Sequence, residues 1–328
     1  MTDAVDRAGQ ADPEPVRLGV ARCLLGESVR YDGGHKFDPF VVHGLGRFVD
    51  FVPVCPEVEC GMPVPREAVR LEGDPAAPRL RGRQSGHDFT DRMLDWGRAR
   101  LDELVGQGLC GYVFKSRSPS SGMERIKVYP EGGGQPRPVG VGIWARMFME
   151  RFPLLPVEDD GRLHDHRLRE NFVTRIFVFK RWRDMLERGR TVGNLVDFHT
   201  RHKLLLLAHN EAIYRDMGRL VAAARSLPMD ELFDTYVQSL TKALSYKTTA
   251  AKNVNVLMHC LGYFKAELEA DDKQEMLDLL ASYKAGHVPL IVPVTMMNHY
   301  VRKYGQDYLA GQVYLNPHPV ELQLRNHV

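Results

Sequence analysis

Two cysteines enclose a pair of carboxylates in the segment Cys55-Pro56-Glu57-Val58-Glu59-Cys60. The segment follows an apolar run at residues 48–54, which predicts a short buried strand. A third thiol, Cys23, follows an earlier apolar run in the same way. Soft metals prefer thiolate ligands, and a carboxylate beside them is able to move a proton. We therefore predict a metal centre with Glu57 beside it.

Two kinds of metal centre fit such thiols. Three thiolates suit an iron–sulfur cluster with one open iron, and they also suit a catalytic zinc ion that keeps a water. We predict Cys23, Cys55 and Cys60 as ligands of an iron–sulfur cluster. Cys110 competes for the third position, although it opens a predicted strand and should lie at the opposite end of the sheet. Cys260, in apolar surroundings, is typical of a buried hydrophobic residue.

The first half of the chain predicts an α/β scaffold for these residues. Residues 88–105 carry apolar side chains at helical spacing, and they lie between the second and third of three predicted strands. Strand and helix in alternation predict parallel strands, with a site beyond their carboxyl ends. The loops at residues 23–34, 55–66 and 116–122 fall at those ends. We predict one site at the edge of a small Rossmann-like parallel sheet whose strands are Val16–Ala21, Phe48–Val54 and Gly111–Lys115.

The second half of the chain predicts helices almost throughout. Apolar residues recur there at three-to-four spacing, and the breaks hold Gly, Pro or Ser. We predict a disordered tail at residues 1–15, an α/β domain at 16–155 and an all-α helical bundle at 156–328, ending in an irregular tail that packs back. The predicted helices are residues 165–188, 195–218, 228–244, 249–268, 273–285 and 293–304.

Composition restricts the class of protein. The 328 residues are 44% hydrophobic and 26% charged, which suits a globular protein with two cores. A net charge of +2 means that any affinity for nucleic acid must come from a local patch. No apolar run approaches the ~20 residues of a membrane span, and there is no signal-peptide pattern. Five clustered cysteines favour a reducing compartment, so we expect a cytoplasmic protein with no membrane partner.

Longer motifs make the prediction more specific. Four stretches, in the family's order, resemble the thiouracil desulfidase family: Cys23-Leu24-Leu25-Gly26; Arg30-Tyr31-Asp32-Gly33-Gly34; Val52-Pro53-Val54-Cys55-Pro56-Glu57 with Pro63-Val64-Pro65-Arg66; and Lys115-Ser116-Arg117-Ser118-Pro119-Ser120-Ser121-Gly122. The resemblance implies a small α/β domain that removes sulfur from thiolated uracil without net redox. It also implies a [4Fe-4S] cluster with three cysteine ligands and one open iron, expected to be lost in air. Short family members carry a cysteine where this chain has Ser121, and we expect Cys60 to replace it.

The chemistry of such a site assigns roles to its neighbours. We predict that Glu57 acts as a general base on the water that attacks the ring carbon, while sulfur leaves as hydrosulfide. Ser118 and Ser120 are predicted to hold the base or the developing charge, and Lys115 to pair with the carboxylate. The structural alternatives are a helix start at Glu57 and a simple turn in the serine-rich loop.

The helical half resembles a second family, found alone or behind a desulfidase domain. The resemblance lies in residues 198–203, 252–255 and 314–319, and the two-domain combination is similar to bacterial desulfidases that act on 4-thiouridine in transfer RNA. Residues 161–203 hold eleven Lys or Arg with interleaved aromatics, typical of an RNA patch or of the solvated face of an amphipathic helix. The predicted RNA contacts are Arg181, Arg183, Arg201, His202, Lys203 and Lys252.

Three functions follow from these observations. The leading hypothesis is an iron–sulfur-dependent desulfidase of 4-thiouridine in transfer RNA, since a base in folded RNA must be presented to a buried site. The second is a desulfidase of free thiouracil or of thiouridine nucleotides. The third is a non-catalytic iron–sulfur sensor whose helices bind a partner. The sequence leaves the oligomeric state open.

Overall fold

The computed structural model describes residues 15–327, so the predicted tail at residues 1–15 lies outside the described residues except for Pro15. The strands are β1 Val16–Ala21, β2 Val49–Val54, β3 Val69–Glu72, β4 Arg79–Gly82, β5 Gly111–Phe114, β6 Ile126–Tyr129, β7 Arg137–Gly140 and β8 Val157–Asp159. The helices are α1 Pro56–Glu59, α2 Thr90–Val105, α3 Ile143–Arg151, α4 His166–Glu187, α5 Val192–His209, α6 Glu211–Ala222, α7 Met229–Ser245, α8 Ala250–Leu261, α9 Ala270–Lys284, α10 Ile291–Tyr304 and α11 Asp307–Ala310.

A four-stranded parallel sheet forms the centre of the N-terminal half, in the order β2-β1-β5-β8. Leu18 and Val20 of β1 are buried, as expected for an inner strand that is covered on both faces. β1 passes β5 so closely that a Cβ on Gly19 would lie 2.2 Å from the ring of Tyr112. The predicted parallel-sheet α/β fold is confirmed.

The fourth strand, β8, was not expected from the sequence because two of its three residues are carboxylates. Glu158 and Asp159 are buried nevertheless, and burial raises the pKa of both. β8 pairs with β5 over Tyr112–Phe114. The first sheet therefore extends beyond residue 155, where we predicted the α/β domain to end.

Helices cover both faces of this sheet. On one face, Phe172 and Ile176 of α4 share an apolar cluster with Leu18 and Val20 of β1. On the other face, α2 and α3 pack against β2 and β5. The far half of α4, including Trp182, lies in the core of the helical bundle. α4 thus contributes to both cores.

A second sheet, in the order β4-β3-β6-β7, lies beside α2. It combines antiparallel pairs with one parallel pair. Leu71, Leu80 and Ile126 bury its inner face against Met93 of α2. The strands β3, β4 and β7 were not expected from the sequence, because they are four residues long and rich in Arg, Gly and Pro.

The C-terminal half is helical, as predicted. The predicted helix at residues 195–218 is two helices, α5 and α6, because Asn210 adopts an extended backbone and its side chain accepts the amide hydrogen bond of Ile213. The last segment packs back on the bundle: the Gln312 side chain accepts from the Leu204 amide and donates to the Thr200 carbonyl. In the part of the chain that the structure describes, no helix is long and apolar enough to cross a membrane.

Candidate active site

A cavity of about 780 Å³ lies at the carboxyl edge of the first sheet. Its wall includes Cys23, Cys55 and Ser116, which follow β1, β2 and β5. Asp160, which follows β8, adds a fourth loop. Parallel strands end at the same edge, so loops that are distant in sequence meet there. The predicted convergence of three loops is confirmed.

Two of the predicted ligands, Cys23 and Cys55, line this cavity. Cys23 lies in a 3-10 turn after β1 that ends at Gly26, whose φ of 93° favours glycine. Cys55 precedes α1, and Pro56 occupies the first helical position. Burial raises the pKa of both thiols to about 11, so both carry protons near neutral pH in the absence of a metal. A soft cation would bind them as thiolates, releasing those protons.

The structure does not bring Cys60 to the cavity wall. Cys60 ends α1 and packs with Met62 in the apolar cluster of the second sheet, and its thiol donates to the Glu57 carbonyl at 3.3 Å. A helix turns by about 100° per residue, so five residues carry Cys60 about 140° around the axis from Cys55. This placement argues against Cys60 as the third ligand.

Cys110 is also distant from the cavity wall. Its backbone amide donates to the Arg17 carbonyl at 2.8 Å, next to the amino ends of β1 and β5. The site lies at the carboxyl ends of the same strands. The expectation that Cys110 occupies the wrong end of the sheet agrees with this geometry.

The serine-rich loop supplies a buried hydroxyl to the same wall. Ser121 is 3% exposed, and its Oγ has no hydrogen-bond partner among residues 15–327. The loop is held by the start of α3, where Gly142 donates to the Gly122 carbonyl at 2.8 Å. A Cβ on Gly142 would lie 2.5 Å from the Ser120 carbonyl oxygen, so only glycine permits this approach. The Ser121 hydroxyl is therefore fixed in place and uncommitted.

The structure brings Glu57, Ser118 and Ser120 together. Ser120 Oγ donates to Glu57 Oε1 at 2.6 Å and lies 3.0 Å from Ser118 Oγ. Arg66 donates to Glu57 Oε2 from Nε at 3.0 Å and from Nη2 at 2.5 Å. Arg66 is fixed in turn by a bond to the Val29 carbonyl at 3.1 Å. The carboxylate is thus held in a single orientation at the cavity.

The prediction that Lys115 pairs with Glu57 is wrong. Lys115 Nζ donates to Asp160 Oδ2 at 2.8 Å, and the Ser116 amide donates to Asp160 Oδ1 at 2.7 Å. Lys115 and Asp160 leave neighbouring strands, β5 and β8, which makes them adjacent. Arg66 takes the predicted role beside Glu57. The motif that contains Arg66 was the signal in the sequence that could have identified this role. Asp160, in contrast, lay in an acidic run that resembled a domain boundary.

The cavity wall carries an excess of positive charge. Lysine and arginine side chains outnumber carboxylates there by eight to four. Within the described part of the chain, no carboxylate forms an ion pair with Lys36, Arg117 or Arg125 of this wall. Tyr31, 42% exposed, also lines it and offers a flat aromatic face. A wall of this kind favours an anionic ligand with a ring to stack.

The prediction that His202 contacts RNA is contradicted by its burial. His202 is 2% exposed and stacks on Phe198 with ring centroids 3.9 Å apart. Its Nδ1 donates to the Phe198 carbonyl at 2.6 Å. Burial lowers its pKa to about 3, which leaves it neutral. His202 is a core residue of the bundle.

The other predicted RNA contacts do not form one surface beside the cavity. Arg181 is largely enclosed, and burial lowers its pKa to about 10. Arg183 donates to the Leu109 carbonyl at 3.5 Å, near the amino end of β5 and so opposite the cavity. Lys252 donates to a backbone carbonyl at 2.6 Å, and Lys203 is half-buried. Arg201 is exposed.

Comparison with known proteins identifies the α/β half. Residues 18–160 match the family model described as 2-thiouracil desulfurase. Residues 18–160 form a domain of this family. Residues 203–319 match a second family, described as a protein of unknown function, DUF1722. The family description of the first half supports a desulfidase of thiouracil-type substrates.

Two individual proteins are each similar to about half of this chain. The uncharacterized protein YbgA of Escherichia coli (strain K12) is 33% identical over 161 residues, which are 49% of this chain and 95% of YbgA. A solved structure titled [4Fe-4S]-dependent thiouracil desulfidase TudS is 27% identical and covers 46% of this chain and 94% of its own. Its TM-score of 0.38 is too low for the superposition to establish a shared fold.

The donor set of the cavity fits a soft metal group. Two thiols and a buried, unpartnered hydroxyl share one wall of a space large enough for a cluster and a substrate ring. No three His, Cys, Asp or Glu side chains within residues 15–327 are arranged to hold a metal ion. Ser121 Oγ is a further side-chain donor on the wall that holds Cys23 and Cys55.

Proposed function

We propose that the protein hydrolyses the carbon–sulfur bond of 4-thiouridine in transfer RNA, giving uridine and hydrogen sulfide without net redox. The observation that carries this proposal is the presence of Glu57, hydrogen-bonded to Ser120, in the same cavity as Cys23 and Cys55. The family supports desulfidation, and the position of Glu57 supports hydrolysis.

Cys23, Cys55 and Ser121 would hold a [4Fe-4S] cluster at this cavity. When bound, a cluster with an incompletely ligated iron supplies a Lewis acid that polarises the thiocarbonyl group. Ser121 replaces Cys60 in the predicted ligand set because it lines the cavity and Cys60 does not. Serine is a harder donor than cysteine, so the group would be bound less tightly than by three thiolates.

The residues of the chain direct water and protons. Glu57 accepts a proton from a water molecule, whose oxygen adds to the sulfur-bearing ring carbon. The proton of the added hydroxyl group passes to sulfur, the carbon–sulfur bond breaks, and sulfur leaves as hydrosulfide. Glu57 then releases its proton to water, and hydrosulfide takes up a proton to give hydrogen sulfide. Ser120 orients the carboxylate by donating to it, and the neighbouring Ser118 hydroxyl is able to donate to a developing negative charge on the ring. Arg66 acts as a positioning residue through its bonds to Glu57.

The charge of the wall favours a nucleotide or RNA over a free base. The wall carries eight cationic side chains and four carboxylates, and a neutral thiouracil would not interact with this excess of positive charge. Phosphates of RNA would pair with Lys36, Arg117 and Arg125, while Tyr31 stacks on a base. Desulfidation of free thiouracil is the second candidate, favoured by the family description.

Sulfide release by anaerobically reconstituted protein tests the proposal. Thiolated transfer RNA, 4-thiouridine 5′-monophosphate and 2-thiouracil are compared as substrates. We expect the highest kcat/KM for the RNA, falling steeply with added salt. Preference for 2-thiouracil without salt dependence would select the second candidate, and no release from any of them would contradict desulfidation.

A pair of matched variants tests the assigned base. Glu57→Gln should lower kcat at least about a hundredfold, since a general base contributes about that much, with iron content unchanged. Glu124→Gln removes a carboxylate of the same wall that pairs with Arg162 instead, and it should retain activity. Equal activity in both variants would refute the role of Glu57. Loss of activity with the cluster retained would also argue against a sensor, which needs no base.

A further inference from the structure

A second cavity, of about 480 Å³, lies in the helical half and shares no wall residue with the first. Its wall starts at Asp165 and continues along the first turns of α4, then includes the start of α8 and the end of α9. Arg162 lines the first cavity, so only Leu163 and His164 separate the two walls along the chain. The proposed desulfidase mechanism does not use this second cavity.

The cavity wall is positively charged. Four Lys or Arg side chains face two carboxylates, and both carboxylates are engaged. Glu170 accepts from Arg325 at 2.9 Å, and Asp165 caps α4. Across residues 15–327, no carboxylate forms an ion pair with Arg167, Lys247 or Lys284. Three cations are therefore available to a ligand.

The start of α8 adds backbone donors to the same wall. Thr248, Thr249 and Ala250 line the cavity, and Thr249 caps this twelve-residue helix through the Lys252 amide. The first amides of a helix have no intrahelical acceptor and favour an anion. Phosphate groups commonly bind at such an end.

A buried histidine provides an independent indication of a ligand. His209 is 2% exposed and lines the cavity, and its Nδ1 donates to the Tyr246 carbonyl at 2.6 Å. In the neutral ring, Nε2 is then a hydrogen-bond acceptor. The side-chain hydrogen bond that His209 forms within residues 15–327 is the one at Nδ1, which leaves Nε2 of this cavity-lining ring available to a hydroxyl group. Burial first, and then the charges of Lys252, Arg325 and Arg175, lower the pKa of His209 to about 4, so the ring is neutral near pH 7.

We propose that this second cavity binds the phosphate of a ribonucleotide, either free or within RNA. The phosphate contacts Lys247, Lys284 and the first amides of α8, and a hydroxyl group of the ligand donates to His209 Nε2. The site goes beyond the proposed desulfidase, because it is formed in the helical half and would bind phosphate whether or not the first cavity is catalytic.

Binding measurements on the full-length protein test the proposal with three probes: inorganic phosphate, uridine 5′-monophosphate and unmodified transfer RNA. Lys284→Gln and Lys247→Gln should each weaken phosphate and mononucleotide binding by about two- to fivefold, and the double variant by about tenfold or more. Lys273→Gln is the matched control, because Lys273 is an exposed lysine of the same helix as Lys284 and lies outside the cavity. It should bind every probe as the wild type does.

The three probes separate the two sources of phosphate. Losses with the mononucleotide and inorganic phosphate alone support a small-molecule site, and a loss with transfer RNA supports a contact to the polymer. The proposal is overturned if the double variant binds all three probes as tightly as Lys273→Gln. It is also overturned if the wild type binds neither small probe and the double variant binds transfer RNA normally. Because none of these assays needs catalysis, failure here is distinguishable from failure of the desulfidase proposal.

Discussion

Replacing Ser121 by alanine distinguishes a structural hydroxyl from a cofactor ligand. A buried hydroxyl without a partner costs the fold about 1–3 kcal/mol, and alanine removes it at nearly the same shape. We expect metal-free Ser121→Ala to be more stable than the wild type by about 1 kcal/mol. With an unfolding entropy of about 2.1 cal/mol/K per residue, that corresponds to a rise in Tm of about 1–2 °C for a chain of 328 residues.

The neighbouring serine provides the matched control, with the opposite sign. Ser120 Oγ donates to the Glu57 carboxylate at 2.6 Å, and loss of a hydrogen bond to a charged group costs about 1.5–3 kcal/mol. Ser120→Ala should therefore be less stable than the wild type. Urea unfolding of the metal-free proteins measures both changes.

Cofactor content is the second measurement on the same variants. After anaerobic reconstitution, iron and acid-labile sulfide per chain should fall in Ser121→Ala and rise above the wild type in Ser121→Cys, whose thiolate is the softer donor. A destabilised Ser121→Ala protein that binds iron as the wild type does would refute the assignment. The hydroxyl would then be a structural group and the third donor would lie elsewhere.

The remaining predictions concern positioning, ligand choice and pH. Arg66→Lys should lower kcat more than it raises KM, because lysine cannot donate from two fixed nitrogens to Glu57. An unchanged kcat would contradict this. Cys60→Ala should retain iron whereas Cys55→Ala should lose it, and equal losses would restore Cys60 as a ligand. Burial lowers the pKa of His202 and of similar core histidines to about 3–4, below an unfolded value near 6.5. Because the unfolded chain then binds more protons, the free energy of unfolding should fall by about 1–2 kcal/mol per histidine between about pH 7 and about pH 5. Urea titrations that coincide at the two pH values would refute this.

The parts of the fold that sequence predicts well have a strong local signal. β1 is an apolar run that is buried on both faces, and the sequence predicts it to its end residues. β8 has no such signal, because its carboxylates are buried through contacts with Arg162 and neighbouring loops. The second sheet is held by pairing between short polar strands, which no local pattern reports.

The candidate site follows the same division. In a parallel sheet, the loops that follow the strands meet at the carboxyl edge. This rule placed Cys23, Cys55 and the serine-rich loop at one edge, because it needs only the order of strands and helices along the chain. It could not assign partners, since the choice between Arg66 and Lys115 for Glu57 depends on which strands are neighbours.

Closeness in sequence is a poor guide where the turn of a helix decides which way a side chain faces. Cys60 is near Cys55 in the chain, yet α1 turns it into the core of the second sheet. The basic residues of α4 were grouped as one patch, although Arg183 lies opposite the cavity and Arg181 is largely enclosed. Trp182, one of the interleaved aromatics, is 4% exposed and lies in the core of the bundle, so it does not offer a face to RNA.

The most direct test of the central proposal is desulfidation of thiolated transfer RNA in oxygen-18-labelled water. The reconstituted protein should release sulfide and form uridine labelled at the former thiocarbonyl carbon in equal amounts, and Glu57→Gln should form neither at a comparable rate. Sulfide released without label in the uridine, or label introduced equally well by Glu57→Gln, would contradict hydrolysis directed by this carboxylate.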